Sequence, residues 1–152
     1  MISTNRIDPA AALRNVGLRV TASRVAVLSE VTDGKHLTAD EVALAVRERI
    51  GTISTQAVYD VLGALTRAGL VRRIEPAGSA ARHETRVDDN HHHAVCRKCG
   101  AITDVDCVVD ERPCLEPADA SGFVIDEAEV TFWGLCPTCQ TVPKSDEKES
   151  AR

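Results

Sequence analysis

Two pairs of cysteines with the same internal spacing place the strongest constraint on how this chain can fold. Cys96 and Cys99 form one C-x-x-C pair and Cys136 and Cys139 form a second, with 36 residues between the pairs. Each pair, held on a tight turn, offers two sulfur ligands, and two such pairs complete the tetrahedron that zinc prefers. The spacing therefore predicts that two distant turns meet at one Zn²⁺ ion. Its expected role is structural, because four protein ligands leave no open position for chemistry. Two redox-active dithiols are the alternative interpretation.

The remaining cysteines and the start of the chain bear on the cellular compartment. The segment MISTNRIDPAA lacks the apolar stretch of a secretory signal peptide, and no apolar run approaches the roughly 18 residues that span a bilayer. We therefore expect a cytoplasmic protein with no membrane partner, whose cysteines serve as metal ligands or redox thiols rather than disulfides. Cys107 and Cys114 are spare and lie seven residues apart. We expect them either to be small buried side chains or to form the redox thiols of a switch.

Charge is distributed unevenly along the 152 residues, whose formal net charge is −5. Residues 1–86 hold 12 Lys and Arg against 9 Asp and Glu, whereas residues 87–152 hold 6 against 14. This asymmetry predicts two domains with different partners, at 1–86 and 87–142. The polar segment 143–152 is predicted to be a disordered tail. A basic first domain permits nucleic-acid binding, although a merely solvated surface fits the charge as well.

Four helical patterns fill the first domain, and each has a recognisable start. PAAALRNVG opens on a proline, TASRVAVLSEVTDG runs from Thr21 to Gly34, TADEVALAVRERIG begins with a capping box of Thr38 and Glu41, and STQAVYDVLGALTRAG begins at Ser54. LVRRI and ARHETRV then read as two short strands around a Pro/Gly turn. Helices followed by such a wing predict a winged helix-turn-helix, whose last helix enters the major groove of DNA. A small helical core without a DNA role fits the same pattern.

The second domain is predicted to be built mainly from strands. HAVCRKCGAITDVDC reads as two strands around a C-x-x-C turn, and EAEVTFWGLCPTC reads as a strand that leads into another such turn. Side chains alternate between the two faces of a strand. His91 and His93 are therefore expected on one face and His92 on the other, so the three histidines do not all serve one ion.

Taken together, these segments resemble the ferric uptake regulator family of metal-dependent repressors. The resemblance covers nearly the whole chain, through GLRVTASR, HLTADEV, STQAVYDVLGALTRAGLV, HHHAVCRKCG and WGLCPTC. VDDNHHHAVCRKCGAITDVDC and DEAEVTFWGLC are similar to the actinobacterial, catalase-associated and peroxide-sensing branch. The resemblance implies an α+β protein that is not an enzyme. An N-terminal winged helix-turn-helix domain would be followed by a small α/β dimerisation domain with a structural zinc site.

The family's regulatory metal site is the second site that the resemblance implies. Its ligands would be His36, Glu84, His91, His93 and Asp104. Three imidazoles and two carboxylates form a mixed nitrogen and oxygen set that suits Fe²⁺ or Mn²⁺, although zinc or nickel can also occupy such a site. The ligands come from both predicted domains, so binding would draw the two halves together. Individually, His36 also fits a turn residue before a capped helix, and Glu84 also fits a solvated charge.

The resemblance further implies how the protein would act. A homodimer would bind a palindromic operator in double-stranded DNA, with contacts from Arg19, Ser54, Thr55, Gln56 and Tyr59. Tyr59 also fits a core position. Peroxide would release the repressor by oxidising the iron-loaded site, and the controlled genes would encode catalase or other oxidative-stress proteins. An iron-availability repressor, or one that responds to zinc or nickel, is the alternative. No small organic substrate is expected.

Two departures from the family pattern bear on these expectations. Asp60 stands where many relatives carry arginine, and a carboxylate there repels phosphate, so operator preference is expected to differ. A further metal site of some relatives uses the positions of Asn90, His92, Glu111 and Ala128. Alanine replaces a histidine at the last of these, so that site is not expected here. A zinc hydrolase, a redox enzyme and a zinc module that binds another protein are the remaining classes.

Overall fold

The chain divides into two compact units, with the boundary between Asp89 and Asn90. The computed structural model describes residues 7–32, 35–87, 89–109 and 112–141. The predicted tail at 143–152, Glu111 and the helix end predicted at Gly34 lie outside these residues. Within the described part, no helix is both long enough and apolar enough to cross a membrane.

The N-terminal unit contains four helices and a small sheet. Its elements in chain order are α1 (Pro9–Asn15), α2 (Ala22–Val31), β1 (Leu37–Thr38), α3 (Ala39–Ile50), α4 (Thr55–Arg67), β2 (Arg72–Ile74) and β3 (Arg82–Glu84).

Side-chain caps fix where all four of these helices begin, including α1, where Asp8 is the cap. Thr21 accepts a hydrogen bond from the backbone N–H of Arg24 at the start of α2, and Ser54 does the same for Ala57 at the start of α4. Thr38 and Glu41 form a full capping box at α3. These caps satisfy backbone N–H groups that the first turn of a helix leaves without a partner. The three predicted helix starts are confirmed.

An aliphatic core holds the helices of the N-terminal unit together. Leucine, valine and alanine side chains from all four helices interdigitate, which agrees with the scarcity of aromatic residues. The core side chains are Leu13, Ala26, Val27, Leu28, Val31, Ala39, Val42, Ala43, Val46, Val58, Leu62, Leu65 and Val71. Burial of this surface anchors α4 to α2 and α3.

The wing has one strand more than the sequence predicts. β2 and β3 pair antiparallel, as expected, and the structure places Arg72 opposite Glu84. The additional strand, β1, pairs with the other edge of β3 and places Leu37 opposite His83. This pairing links the segment before α3 to the wing and brings residue 36 next to the end of β3.

The C-terminal unit is a three-stranded sheet with one short helix. Its elements are β4 (His91–Cys96), β5 (Ile102–Asp106), β6 (Thr131–Gly134) and α5 (Pro137–Gln140). β4 is the central strand, antiparallel to β5 and parallel to β6. The strands around both C-x-x-C turns were predicted, whereas the short helix at the second turn was not.

Candidate metal sites and nucleic-acid interface

The four cysteines of the two C-x-x-C pairs converge in the C-terminal unit. Cys96 ends β4 and Cys99 lies in the turn after it, while Cys136 directly precedes α5 and Cys139 lies within α5. The turn closes through a 2.9 Å hydrogen bond from the Gly100 N–H to the Cys96 carbonyl, and Gly100 adopts the positive φ of 73° that favours glycine. The structure thus brings together all four predicted zinc ligands.

The sulfur positions fit a tetrahedral thiolate site. All four sulfurs lie within 4.8 Å of one another, and Cys99 Sγ is 3.7 Å from Cys136 Sγ. Two thiolates on one tetrahedral zinc ion lie about 3.8 Å apart. None of the six cysteines of the chain is in a disulfide, so the disulfide form of the dithiol alternative does not occur in this structure.

The surroundings of the cluster shift the thiol pKa values of Cys96 and Cys139 in opposite directions. Backbone N–H groups of Cys136 and Cys99 stabilise a thiolate at Cys96 and lower the pKa of Cys96 to about 6. Hydrogen bonding to Cys136, with a further contribution from burial, raises the pKa of Cys139 to about 12. The cluster therefore holds negative charge at one sulfur and a proton at another, which is the state from which a cation displaces protons.

A second group of ligand atoms lies on one face of the β4–β5 hairpin. His93 is paired directly across from Asp104. His91 lies two residues before His93, on the same face of β4. Asp104 Oδ1 lies 3.6 Å from His93 Nε2 and 3.7 Å from His91 Nε2. Two ligands that are each about 2.1 Å from an ion lie roughly 3.0 to 4.2 Å apart. Both histidines are buried and the carboxylate is mostly buried, so the three donors form a compact nitrogen and oxygen set.

The N-terminal unit contains two side chains of metal-binding type that contact each other. His36 Nε2 lies 2.9 Å from Glu84 Oε2, and both side chains are nearly inaccessible. Because an isolated buried carboxylate is costly, the contact with the imidazole explains why Glu84 is tolerated inside. With 1 % exposure, Glu84 is not the solvated charge that was the alternative interpretation.

The neighbouring His83 has a structural role in the wing. Its Nδ1 lies 3.3 Å from the Leu37 carbonyl oxygen across the β1–β3 pair. Burial lowers the pKa of His83, which favours the neutral imidazole. The side chain of His83 thus helps to hold β1 against β3.

A third cluster was not recognised as a metal-type site from the sequence. His92, Cys107 and Cys114 bring one nitrogen and two sulfurs within 4.8 Å of one another in the C-terminal unit. His92 Nε2 lies 3.2 Å from Cys114 Sγ. Burial, together with the adjacent Cys107, raises the pKa of the Cys114 thiol. The alternation of side chains along a strand predicted that His92 lies on the opposite face from His91 and His93. No pattern in the sequence indicated that Cys114 lies beside His92.

The start of α4 presents an exposed polar edge. Ser54 Oγ caps the helix, and Thr55 Oγ1 accepts a 2.8 Å hydrogen bond from Arg47 Nη2. Gln56 Nε2 donates a 2.9 Å hydrogen bond to Asp60 Oδ1, and both side chains are exposed. The first two hydroxyls therefore stabilise the helix end, while Gln56 remains directed outward.

Tyr59 and Arg19 are also exposed in the N-terminal unit. Tyr59 is 51 % exposed on α4, so the alternative that it belongs to the core is wrong. Arg19 is exposed in the turn before α2, where its carbonyl oxygen accepts a 2.8 Å hydrogen bond from Arg24 Nη1. Four of the five predicted DNA-contact residues thus lie together on the first two turns of α4 or at its cap.

Comparison with known proteins agrees with this architecture. The family model described as "Ferric uptake regulator family" matches residues 15–133. The transcriptional regulator FurA of Mycobacterium tuberculosis is 58 % identical over 132 residues, which cover 87 % of this chain and 90 % of that protein. The peroxide operon regulator of Bacillus subtilis is 30 % identical over 129 residues, with 84 % and 88 % covered. The crystal structure of the Vibrio cholerae ferric uptake regulator superposes with a TM-score of 0.68 at 27 % identity and covers 85 % of this chain and 100 % of that one.

These matches settle the fold and the broad class of function. The α+β fold is confirmed, with a winged helix-turn-helix domain followed by the α/β domain that the family uses for dimerisation. The prediction that the protein is not an enzyme is also confirmed, since the members of this family are transcriptional regulators. The chain belongs to the ferric uptake regulator family and is a metal-responsive, DNA-binding transcriptional regulator.

Proposed function

We propose that this protein is a homodimeric repressor of palindromic operator DNA that is released when peroxide oxidises an iron-loaded regulatory site. The observation that carries the proposal is the grouping of His91, His93 and Asp104 on one face of the β4–β5 hairpin, apart from the four-cysteine cluster. The four-cysteine cluster suits a permanent ion, and the group of two histidines and an aspartate suits an exchangeable one. Residues 1–86 would bind DNA, and residues 87–142 would dimerise and bind metal. A regulator of chromosomal genes works in the cytoplasm.

The four-cysteine cluster is proposed to hold structural Zn²⁺. Sulfur is the ligand that zinc takes in closed tetrahedral sites, and the 3.7 Å distance between Cys99 and Cys136 sulfurs fits such a site. Zinc there would join the turn after β4 to α5. Since these elements are distant in sequence, the ion would contribute directly to the stability of the C-terminal unit.

The regulatory ion is proposed to be Fe²⁺ or Mn²⁺, held by His36, Glu84, His91, His93 and Asp104. Support comes from each unit taken separately: His36 meets Glu84 in one, and His91 and His93 meet Asp104 in the other. Imidazole and carboxylate donors suit these metals. An ion that shifts a two-state equilibrium from 1:99 to 99:1 must bind the DNA-competent state more tightly by roughly 5.5 kcal/mol. Sharing ligands between the units is how such a preference would arise.

Peroxide sensing is supported by the carboxylate at position 104. The family resemblance associates an aspartate there with peroxide sensing, and the chain is 30 % identical to a peroxide operon regulator. Bound Fe²⁺ would supply the redox chemistry with peroxide. His36 and His91 would be the targets, and oxidation of an imidazole ring would remove a ligand nitrogen from the set. The control of catalase or other oxidative-stress genes follows from the same resemblance.

The second candidate is a repressor that responds to iron availability without sensing peroxide. Glu84 favours it, because some peroxide sensors carry aspartate at this position. The glutamate is buried against His36 and would complete the ligand set with a longer side chain. Response to zinc or nickel is the next alternative, since affinities of such sites follow the general order of the divalent metals.

The DNA contacts are proposed to come from the exposed start of α4 and from Arg19. Gln56 suits the paired donor and acceptor of adenine, and Tyr59 suits contact with a thymine methyl group. Arg19 suits a narrow minor groove. Ser54 and Thr55 would donate their hydroxyl hydrogens to phosphate while their oxygens keep the capping and Arg47 contacts.

Homodimerisation is supported by apolar surface on the C-terminal unit. Phe123, Val124 and Phe132 are 74 %, 95 % and 50 % exposed. Adjacent exposed apolar residues such as Phe123 and Val124 indicate an interface more than single scattered ones do. A two-fold dimer built on this unit would carry two DNA-binding units to two half-sites of a palindrome.

The experiment that tests the function is operator binding by anaerobic protein loaded with Fe²⁺ or Mn²⁺, before and after a brief low dose of peroxide. The DNA is the region upstream of the protein's own gene. We expect both forms to bind and only the iron form to lose binding after peroxide, with mass increases of an oxygen atom on His36 or His91. Binding that survives in both forms would leave a metal-availability regulator.

A matched pair of carboxylate variants makes the test specific to the site. Asp104→Ala should lose metal-dependent DNA binding, because it removes the oxygen that faces both histidines. Asp126→Ala removes an exposed carboxylate in the same unit and should behave like the unmodified protein. Equal behaviour of the two variants would contradict the proposed regulatory site.

A further inference from the structure

The cluster of His92, Cys107 and Cys114 has the composition of a metal site, yet it belongs to neither of the two sites proposed above. Its three donor atoms all lie within 4.8 Å of one another, and His92 is only 5 % exposed. Both cysteines are partly buried and neither is in a disulfide. Two sulfurs and an imidazole nitrogen are the ligands of thiophilic metal ions rather than of Fe²⁺ or Mn²⁺ in a carboxylate site.

Strand register explains why two of these residues meet. His92 pairs with Val105 across β4 and β5, on the face opposite to His91 and His93. Two residues further along the same face comes Cys107, whose backbone N–H donates a 3.3 Å hydrogen bond to the Asn90 carbonyl. This hydrogen bond extends the pairing of the hairpin by one residue beyond β5. That extension holds the Cys107 side chain on the His92 face.

Cys114 reaches the same face from the segment that follows β5. Its Sγ lies 3.2 Å from His92 Nε2 and 4.0 Å from the carbonyl oxygen of Ala128. The ring of Phe132 on β6 packs edge-on against His92, with centroids 6.5 Å apart. The imidazole is therefore held between an aromatic ring and a thiol, with a second thiol nearby.

We propose that His92, Cys107 and Cys114 form a third metal site, which takes a thiophilic ion of the zinc class. Around a tetrahedral zinc ion, two sulfurs lie about 3.8 Å apart and a sulfur and a nitrogen about 3.5 Å apart. The 3.2 Å between His92 Nε2 and Cys114 Sγ lies close to the second value, and all three donor atoms lie within 4.8 Å of one another, so small side-chain movements complete the site. Binding releases the thiol protons to solvent. With three protein ligands, the fourth position is open to water or another small ligand.

This ligand set differs from the additional site that the family pattern suggested through Asn90, His92, Glu111 and Ala128. Only His92 is common to both, and the other two donors here are the sulfurs of Cys107 and Cys114. A thiol switch between Cys107 and Cys114 is the competing interpretation, since it uses both sulfurs. A thiol switch uses only the two sulfurs, whereas a metal site uses the imidazole of His92 as well.

Cobalt distinguishes these possibilities because only thiolate ligands give an intense sulfur-to-Co²⁺ charge-transfer band. The protein is first brought to one tightly bound zinc per chain and is then titrated anaerobically with Co²⁺. We expect the charge-transfer band to appear as Co²⁺ binds, without release of zinc. The regulatory set of His36, Glu84, His91, His93 and Asp104 contains no sulfur, so cobalt bound there adds only weak ligand-field bands. Ligand-field bands alone would overturn the proposal.

Variants identify the ligands. The double variant Cys107→Ser, Cys114→Ser should lose the band, and His92→Gln should weaken Co²⁺ binding by at least about tenfold, the lower bound for loss of even an outer-shell partner. Val108→Ser changes a 99 % exposed neighbour of Cys107 and should leave the titration unchanged.

Alkylation followed by mass spectrometry provides a readout that does not depend on variants. Excess Zn²⁺ should protect Cys107 and Cys114 together in the unmodified protein. Equal alkylation with and without added zinc, or a disulfide between these two cysteines that zinc does not prevent, would overturn the metal site. The second of these results would favour the thiol switch. Neither depends on whether the protein senses peroxide.

Discussion

Three consecutive histidines have different surroundings because they lie on a central strand. His91 and His93 share a face with Asp104, while His92 faces Cys114 on the other side. Alternation of side chains on β4 produces this division. One residue step therefore changes the donor set from nitrogen and oxygen to nitrogen and sulfur, and with it the class of metal that each face can bind.

Replacement of one histidine tests the regulatory face at this scale. His91→Ala should weaken Mn²⁺ binding by more than the roughly 10–100-fold that is typical for loss of an outer-shell partner, because it removes a donor atom itself. Metal-dependent operator binding should be lost, while zinc content and the oligomeric state stay unchanged. Calorimetric titration with Mn²⁺ and elemental analysis measure these effects. A retained metal response would remove His91 from the site.

The four-cysteine cluster leads to a prediction about pH. Between pH 6.5 and 8, Cys139 with a pKa of about 12 is protonated in the metal-free cluster, whereas Cys96 with a pKa of about 6 is already mostly thiolate. Zinc must displace the proton of Cys139, so the zinc affinity should rise with pH by at least about tenfold per unit. Competition with a chelator at several pH values measures it. An affinity that is constant over this range would contradict the assignment of Cys139 as a thiolate ligand.

At the scale of elements, helices were predictable because their signals are local. The caps at Thr21, Thr38 and Ser54 mark α2, α3 and α4 in the sequence itself. β1 was not predictable, because two residues are too few for a period and the partner His83 lies 46 positions after Leu37. The shorter helix α5 is only a single turn, so it too lacks a repeating pattern.

The candidate sites likewise divide into those with local signals in the sequence and those without. Cysteine spacing predicted the four-cysteine cluster, and strand alternation predicted that His91 and His93 share a face. The pairing of His92 with Cys114 depends on the path of the segment after β5, whose described residues 107–109 and 112–130 lie in no helix or strand and whose sequence contains Pro113 and Pro117 and no periodicity. Local patterns in a sequence cannot predict where such a segment returns.

The contact between Gln56 and Asp60 on α4 affects DNA recognition. The two side chains are four residues apart, which is the helical spacing at which such pairs form. The bond holds the amide that would read a base, and the carboxylate repels phosphate. We expect Asp60→Ala to increase affinity for non-specific DNA by roughly two- to fivefold and to reduce discrimination between operator and random sequence.

Binding titrations on operator and scrambled DNA at two salt concentrations check this prediction. Glu48→Ala is the matched control, because it removes an exposed carboxylate from α3 instead of α4. Its non-specific affinity should change less than that of the Asp60 variant. If both variants discriminate between the two DNA sequences as well as the unmodified protein does, Asp60 does not position Gln56.

At the scale of the whole molecule, charge separates along the chain. Residues 1–86 carry a net charge of +3 and residues 87–152 a net charge of −8. The positive part suits DNA, whereas two copies of the negative part repel each other. The proposed association of two C-terminal units would therefore rest on apolar contact. Exposed Phe123 and Val124 provide surface of this kind.

A charge placed on that surface tests the proposed dimer. Val124 is 95 % exposed, so Val124→Asp should not disturb folding of the isolated chain, but it would bury a carboxylate in an apolar interface. We expect dissociation to be favoured by several kcal/mol, which shifts the protein to monomers at micromolar concentration in sedimentation experiments. Operator affinity should fall with it, because a monomer contacts one half-site only. Leu44→Asp changes a 62 % exposed residue of α3 and should leave the dimer intact. A Val124→Asp variant that remains dimeric would place the interface elsewhere on the chain.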